Sequence, residues 1–314
     1  MNSFKVTITD FINHCKFEKN LSEKTIKAYS IDLAQFSAFL LEKNFESEIS
    51  KITKLELRAY LEVISPLKPK TIKRKIATLK ATFNFLEYED RIVINPFRKM
   101  RIKITEAKVL PKVMDIKEIT KIFKSAYQNK STFLDESSFS FLSSLRDIAV
   151  IELLFATGAR VSEIANLKTE NINLNSGIIT IKGKGNKERI IQICNSETIG
   201  ILKEYYRNFK QKIQNSGGNF LINRLGNKIS DQSIRGIVRN LTKNAKINRN
   251  ITPHVFRHSF ATLLLEKDVD IKYIQSLLGH STIMTTQIYT HVNRKKQRQI
   301  IKTKHPRRDF SMLI

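Results

Sequence analysis

The sequence predicts a mainly α-helical α+β chain of two domains, with one small antiparallel β-sheet in the second. Three observations predict it. Apolar residues recur at helical spacing through the first hundred residues and again from Asp115. Residues 172–193 break that spacing with isoleucine-rich runs and glycine turns. Between the two helical stretches lies a basic, extended segment bounded by Asn95-Pro96 and Leu110-Pro111. The domains are therefore placed at residues 1–98 and 113–314, with a linker over 99–112.

In the first domain, Phe11, Ile12 and Cys15 mark a short helix. A second starts at Ser22, with Ile26, Tyr29, Leu33, Phe36 and Phe39-Leu40 along one face. A third covers residues 55–64 and stops before Pro66. A fourth runs from Pro69 with Ile72, Ile76, Leu79, Phe83 and Leu86 inward. Its other face carries Lys70, Lys73, Arg74 and Lys80, which suits a helix lying along phosphates. A merely solvated lysine face is the alternative.

In the second domain, residues 115–127 read as a helix, 129–140 as a polar surface loop and 142–155 as a buried helix. Isoleucine-rich strands at 178–181 and 189–193 flank a turn holding Gly183, Gly185 and Asn186. Another turn at 175–177 precedes them, so three strands and two hairpins are expected. Helices resume near Ser196, Ser230, Thr252, Asp270 and Ser281, each with a capping side chain.

The formal charge is +26 over 314 residues. It is uneven: residues 1–50 carry −1, residues 51–100 carry +7 and residues 201–314 carry +16. Concentrated positive charge points to a polyanionic partner, and nucleic acid fits best. Lysine-rich codon bias would inflate the count without removing acidic residues. Cys15 and Cys194 lie far apart with no C-x-x-C spacing, so neither a disulfide framework nor a zinc site is expected, and both read as buried free thiols. No run approaches eighteen apolar residues and the N-terminus lacks an apolar leader, which reads as a cytoplasmic protein with no membrane partner.

Six residues then form one pattern: Arg160, Lys184, His254, Arg257, His280 and Tyr289. They sit in GAR-VSE (158–163), KGKGNKER (182–189), H-V-F-R (254–257), L-L-G-H (277–280) and Y-T-H (289–291). Thr252-Pro253 starts a helix, which puts His254 and Arg257 on one face of its first turn. Arg160 also follows a turn at a helix start. Two arginines converging on one phosphate bind its oxygens and stabilise a pentacovalent transition state. Lys184 lies in a glycine-flanked turn that can project an ammonium. His280 follows Gly279, a helix-end signal. Tyr289 is singled out by position, nine residues after His280; a deprotonated phenol attacks phosphorus and leaves a reactive ester. Carboxylate clusters for two-metal catalysis and a G-x-x-x-x-G-K-[ST] loop are both missing, so no metal or nucleotide cofactor is expected.

This pattern resembles the catalytic domain of the tyrosine recombinases, the phage integrase family, and is most similar to its Xer-like members. The resemblance covers residues 146–291 well and the first hundred residues weakly. It implies a helical core-binding domain and a catalytic domain that grip double-stranded DNA from opposite sides. It implies Tyr289 as nucleophile, Lys184 as general acid for the leaving 5′-hydroxyl, and Arg160, His254, Arg257 and His280 as transition-state contacts. Lys182 and Lys187 are expected on the DNA, and either could be the acid instead. Glu163 would orient the basic residues, while His258 reads as a packing residue with a satisfied hydrogen bond. A 3′-phosphotyrosyl intermediate, strand exchange through a four-way junction and a tetramer on two duplexes follow by implication. A second recombinase or an accessory protein is admitted as a partner. Residues after Tyr289 would dock on the adjacent protomer, with docking on their own domain as the alternative. Three other readings compete: a type IB topoisomerase-like enzyme that rejoins the original strand, a non-catalytic DNA-binding protein, and a ribosome- or RNA-binding protein, which explains the charge but none of the site pattern. A covalent-adduct gel separates the two non-catalytic readings from the enzymes.

Overall fold

The computed structural model describes residues 3–45, 48–106, 113–183, 188–279 and 294–312. The chain divides into two compact units, Met1–Val109 and Leu110–Ile314. In the first, α1 (Ser3–Asn13) continues into a single π-helical stretch, His14–Glu18. Ser22 accepts a hydrogen bond from Thr25 N to start α2 (Glu23–Glu42). A capping box of Thr53 and Glu56 starts α3 (Lys54–Ile64), and Pro69 opens α4 (Pro69–Tyr88). Their inward residues build one core around Leu33, Phe36, Leu79, Phe83 and Leu86. Each such side chain contributes about 1.5–3 kcal/mol on burial.

A small polar cluster sits inside this core. Asp32, 1 % exposed, accepts from Thr78 Oγ1 at 3.0 Å and pairs with Lys75 at 3.3 Å and with Arg74. The outer face of α4 is thus only partly a solvated basic surface. Arg74 reaches Asp32 while keeping 43 % of its side chain exposed, and Lys70 and Lys73 share Glu106 at 3.7 and 3.0 Å.

The second unit is built on α6 (Phe139–Thr157), whose last ten residues are all buried. Around it pack α5 (Ile116–Ser131), the short α7 (Val161–Ala165), α8 (Ser196–Asn215), α9 (Asp231–Asn244) and α10 (Pro253–Glu266). α11 (Ile271–Leu278) and α12 (Arg294–Lys304) complete the helices. The sheet is antiparallel in the order β1 (Ile172–Asn173), β2 (Ile178–Lys182), β3 (Glu188–Gln192). Ile179 pairs with Ile191 and Ile181 with Arg189. No described helix is long and apolar enough to cross a membrane.

Three expectations are corrected. The 129–140 loop shrinks to 132–138, because Lys130 pairs with Glu204 at 2.6 Å and Ser138 caps α6. Cys15 is buried, but Cys194 is exposed: strand parity points Ile191 and Ile193 inward and Cys194 out. The third correction concerns the end of the chain. Residues 305–312 pack on their own unit, the alternative named for this segment, through Arg307, Phe310 and Met312.

A buried carboxylate explains that docking. Glu152 lies fully buried in the middle of α6 and needs a cation. Arg307, also fully buried, supplies it through Nη2 at 2.8 Å and Nε at 3.1 Å. Tyr127 and Thr198 donate to the same carboxylate, each at 2.7 Å. Burial alone would lower the Arg307 pKa; Glu152 overrides it and holds it above the ordinary value. His305 Nδ1 accepts from Arg307 N at 2.9 Å, and Nε2 donates to Ala156 O at 3.1 Å. Removing one partner of a pair buried this deeply costs about 3–5 kcal/mol.

Candidate active site

Gly158 stops α6 by turning left-handed at φ 56°. Two residues later Arg160 occupies the N-cap position of α7, and the Glu163 side chain reaches back to its N–H. Arg160 N donates to Glu163 Oε2 at 2.8 Å, and Arg160 Nη1 to Glu163 Oε1 at 2.9 Å. A second arginine grips the same carboxylate: Arg189, at the start of β3, donates Nη2 to Oε2 at 2.6 Å and Nη1 to Oε1 at 3.2 Å. Burial would raise the Glu163 pKa, but Arg189 and Arg160 hold it below the ordinary carboxylate value.

Thr252 and Pro253 set the start of α10, as the sequence predicts. Arg257 then points inward, 5 % exposed. Its Nη1 donates to Gly158 O at 2.9 Å and its Nη2 to Leu278 O at 2.8 Å. Burial, followed by the charge of neighbouring Arg160, draws its pKa down to about 10. It stays charged at neutral pH. His254, on the first turn, is exposed; its Nε2 lies 3.0 Å from Nε2 of His258. His258 therefore has the hydrogen bond expected of it, with His254 as partner.

The end of α11 gathers these groups. Gly279, at φ 64°, terminates the helix. Leu277 O accepts from Arg189 Nε at 2.8 Å, Leu278 O from Arg257, and Gly279 O from Arg160 Nη2 at 3.2 Å. Three consecutive carbonyls, the acceptors a helix end leaves without intrahelical partners, each take a different arginine. His280 follows directly in sequence.

Of the predicted site residues, the structure brings Arg160, Glu163 and Arg257 together, with His254 on the first turn of the helix that carries Arg257. Lys182 ends β2, with Nζ 3.8 Å from Glu188 Oε1. Lys184, Lys187, His280 and Tyr289 lie outside the described residues. Lys70, Lys73 and Arg74 belong to the other unit. Arg189 was missed by sequence reasoning. The available signal was weak: it ends the KGKGNKER stretch, and a carboxylate expected to orient basic residues calls for more than one. Among the described residues no group of three or more His, Cys, Asp or Glu side chains could hold a metal ion.

Known proteins share this architecture. The phage integrase family model matches residues 112–296, and the phage integrase N-terminal SAM-like domain matches residues 8–90. A tyrosine recombinase of Agathobacter rectalis is 44% identical over 311 residues, covering 99% of each chain. Tyrosine recombinase XerC of Thermodesulfovibrio yellowstonii is 33% identical over 314 residues, covering 98% of each. Among solved structures, XerH site-specific recombinase bound to a palindromic difH substrate, in a post-cleavage complex, is similar with a TM-score of 0.68. That match has 23% identity and covers 93% of this chain and 83% of the other. A lambda integrase (75–356) dimer bound to a COC′ core site gives a TM-score of 0.62 at 20% identity, over 88% and 95%. These two likenesses show the fold, and the full-length relatives carry the assignment: the chain belongs to the phage integrase family and is a tyrosine recombinase.

Proposed function

We propose that this recombinase cleaves and rejoins double-stranded DNA at specific sites through Tyr289, with the arginine cluster at the end of α11 receiving the scissile phosphate. The observation that carries the reading is the convergence of Arg160 and Arg257 on adjacent carbonyls, Gly279 O and Leu278 O. Arg160, Arg189 and Arg257 surround one carboxylate, Glu163, so the described cluster holds surplus positive charge. A guanidinium has five N–H donors, and the protein bonds above engage two in Arg160 and two in Arg257. A phosphate arriving there meets preset donors and offsets the mutual repulsion of the guanidinium groups.

In this reading Tyr289 attacks phosphorus in line. His254 and His280 add hydrogen bonds to the developing charge, and Lys184 protonates the leaving 5′-oxygen. The products are a 3′-phosphotyrosyl ester and a 5′-hydroxyl. Attack by a partner strand's 5′-hydroxyl then exchanges strands through a four-way junction, with four protomers on two duplexes. Lys70, Lys73 and Arg74 in the first unit, with Lys182 and Lys187 in the second, contact phosphates along the duplex. The reaction uses no metal or nucleotide, and it takes place in the cytoplasm.

The test is a nicked duplex that traps the covalent adduct on a denaturing gel. The unaltered protein forms the adduct in excess EDTA without ATP, whereas Tyr289→Phe binds the duplex and forms none. A full-strength adduct from Tyr289→Phe would move the nucleophile to another tyrosine. Loss of the normal adduct on chelation would overturn the metal-free reading.

A further inference from the structure

We propose that Arg189 is a positioning residue for the cleavage reaction and that it acts through Arg160. The inference rests on the reading that Arg160 meets the scissile phosphate.

Arg189 has little exposure, 11 % of its side chain, and three of its donors are engaged by protein. Its Nη2 and Nη1 hold both oxygens of Glu163, side by side. Its Nε holds Leu277 O on α11. One planar group therefore joins β3, α7 and α11. Glu163 uses the same two oxygens for Arg160: Oε1 takes Nη1 of both arginines, and Oε2 takes Arg160 N and Arg189 Nη2. The orientation of Arg160 is thus copied from a carboxylate that Arg189 fixes from the other side.

Charge alone does not explain Arg189. Its positive charge works against ionised Arg257. A residue that adds repulsion to an already cationic cluster needs a geometric return, and the two-oxygen grip on Glu163 with the bond to Leu277 O supplies one. Gly279 accommodates the arrangement: a Cβ there would lie 3.1 Å from Arg189 Nη1 and 3.3 Å from its Cδ. Lysine could not reproduce it, because one ammonium cannot present a planar fork to Glu163 while bonding Leu277 O.

The experiment uses the full chain bound in excess to a nicked duplex, with cleavage followed in a single turnover. Arg189→Met should change DNA affinity far less than it slows cleavage, which should fall on the order of 10²-fold, the usual consequence of displacing a reacting group by about 1 Å. Arg189→Lys should fall between. The double variant Arg160→Ala/Arg189→Met should be no slower than Arg160→Ala alone, since both changes remove the same contribution. Replacing the scissile phosphate with a neutral methylphosphonate should shrink the Arg189→Met defect, which general loss of structure would not do. Should Arg189→Met fail to fold, Arg189→Lys, alone and combined with Arg160→Ala, carries the same comparison. Full-rate cleavage by the Arg189 variants, or multiplied defects in the double variants, would overturn the inference alone. Full-rate cleavage by Arg160→Ala would instead remove the phosphate role of Arg160, and a slow Arg189→Met beside it would rule out action through Arg160.

Discussion

A guanidinium serves a phosphate best when it is already desolvated and aimed, and Arg257 meets both conditions. Its burial lowers its pKa to about 10, and two carbonyls fix its plane. One of those carbonyls belongs to Gly158, which combines a left-handed φ of 56° with a tight approach to its neighbours. A Cβ there would sit 2.5 Å from Phe260 Cδ1 and 2.9 Å from Leu278 Cδ2. Gly158→Ala should therefore lower stability by about 1–3 kcal/mol, from left-handed strain plus overpacking. Urea denaturation reads this directly; a midpoint unchanged from the parent would mean that Phe260 yields freely. Arg160, Glu163 and Arg257 were legible because each belongs to a short stretch with a recognisable turn or cap. Arg189 was not. Its partners lie 26 residues upstream at Glu163 and 88 downstream at Leu277, and one of them is a backbone carbonyl with no sequence signature.

At the scale of elements, local signals set most boundaries. Ser22, Ser230, Thr252 and Asp270 cap the helices they were expected to cap. The three-stranded sheet appears where isoleucine runs meet glycine turns. Long-range pairs set the rest: Lys130 with Glu204 extends α5, and Arg307 with Glu152 seats the end of the chain. The apolar run around Glu152 hid its need for a cation 155 residues away. That seat also makes stability depend on pH through His305. Burial pushes its pKa down to about 4, Arg307 and Lys267 push the same way, and the Ala156 bond and Asp309 oppose them. Between about 6.5 and 4 the unfolded chain binds a proton that the folded chain refuses. The His305 contribution is therefore complete above pH 6.5 and declines by up to about 3 kcal/mol as pH falls to 4. Thermal melts of the parent and His305→Gln across that window should show a shallower acid decline for the variant. Parallel curves would assign the decline to other groups.

Over the whole molecule, the surplus of basic residues sets how the protein finds DNA. With on the order of 6–10 phosphate contacts per protomer, affinity should fall roughly 10³–10⁵-fold between 50 and 200 mM salt, as condensed counterions are released. A nearly flat response in a filter-binding titration would mean that the +16 carried by residues 201–314 faces solvent rather than DNA. The charge was legible from composition, but its internal use was not. Lys75 is buried on Asp32, and Arg307 is wholly enclosed. A count of basic residues thus overstates the surface offered to a duplex.

The three carbonyls at the end of α11 also bear on how this gene can change over time. No side-chain replacement removes a main-chain acceptor, so outward positions such as Ile271, 56 % exposed, are open to substitution without unseating an arginine. Length behaves in the opposite way. Gaining or losing one residue within α11 would turn its end by about 100° and withdraw the acceptors from Arg160, Arg189 and Arg257 together. Descendants of this chain can therefore respell α11, but an insertion or deletion there would have to arrive with compensating changes on α7, β3 and α10.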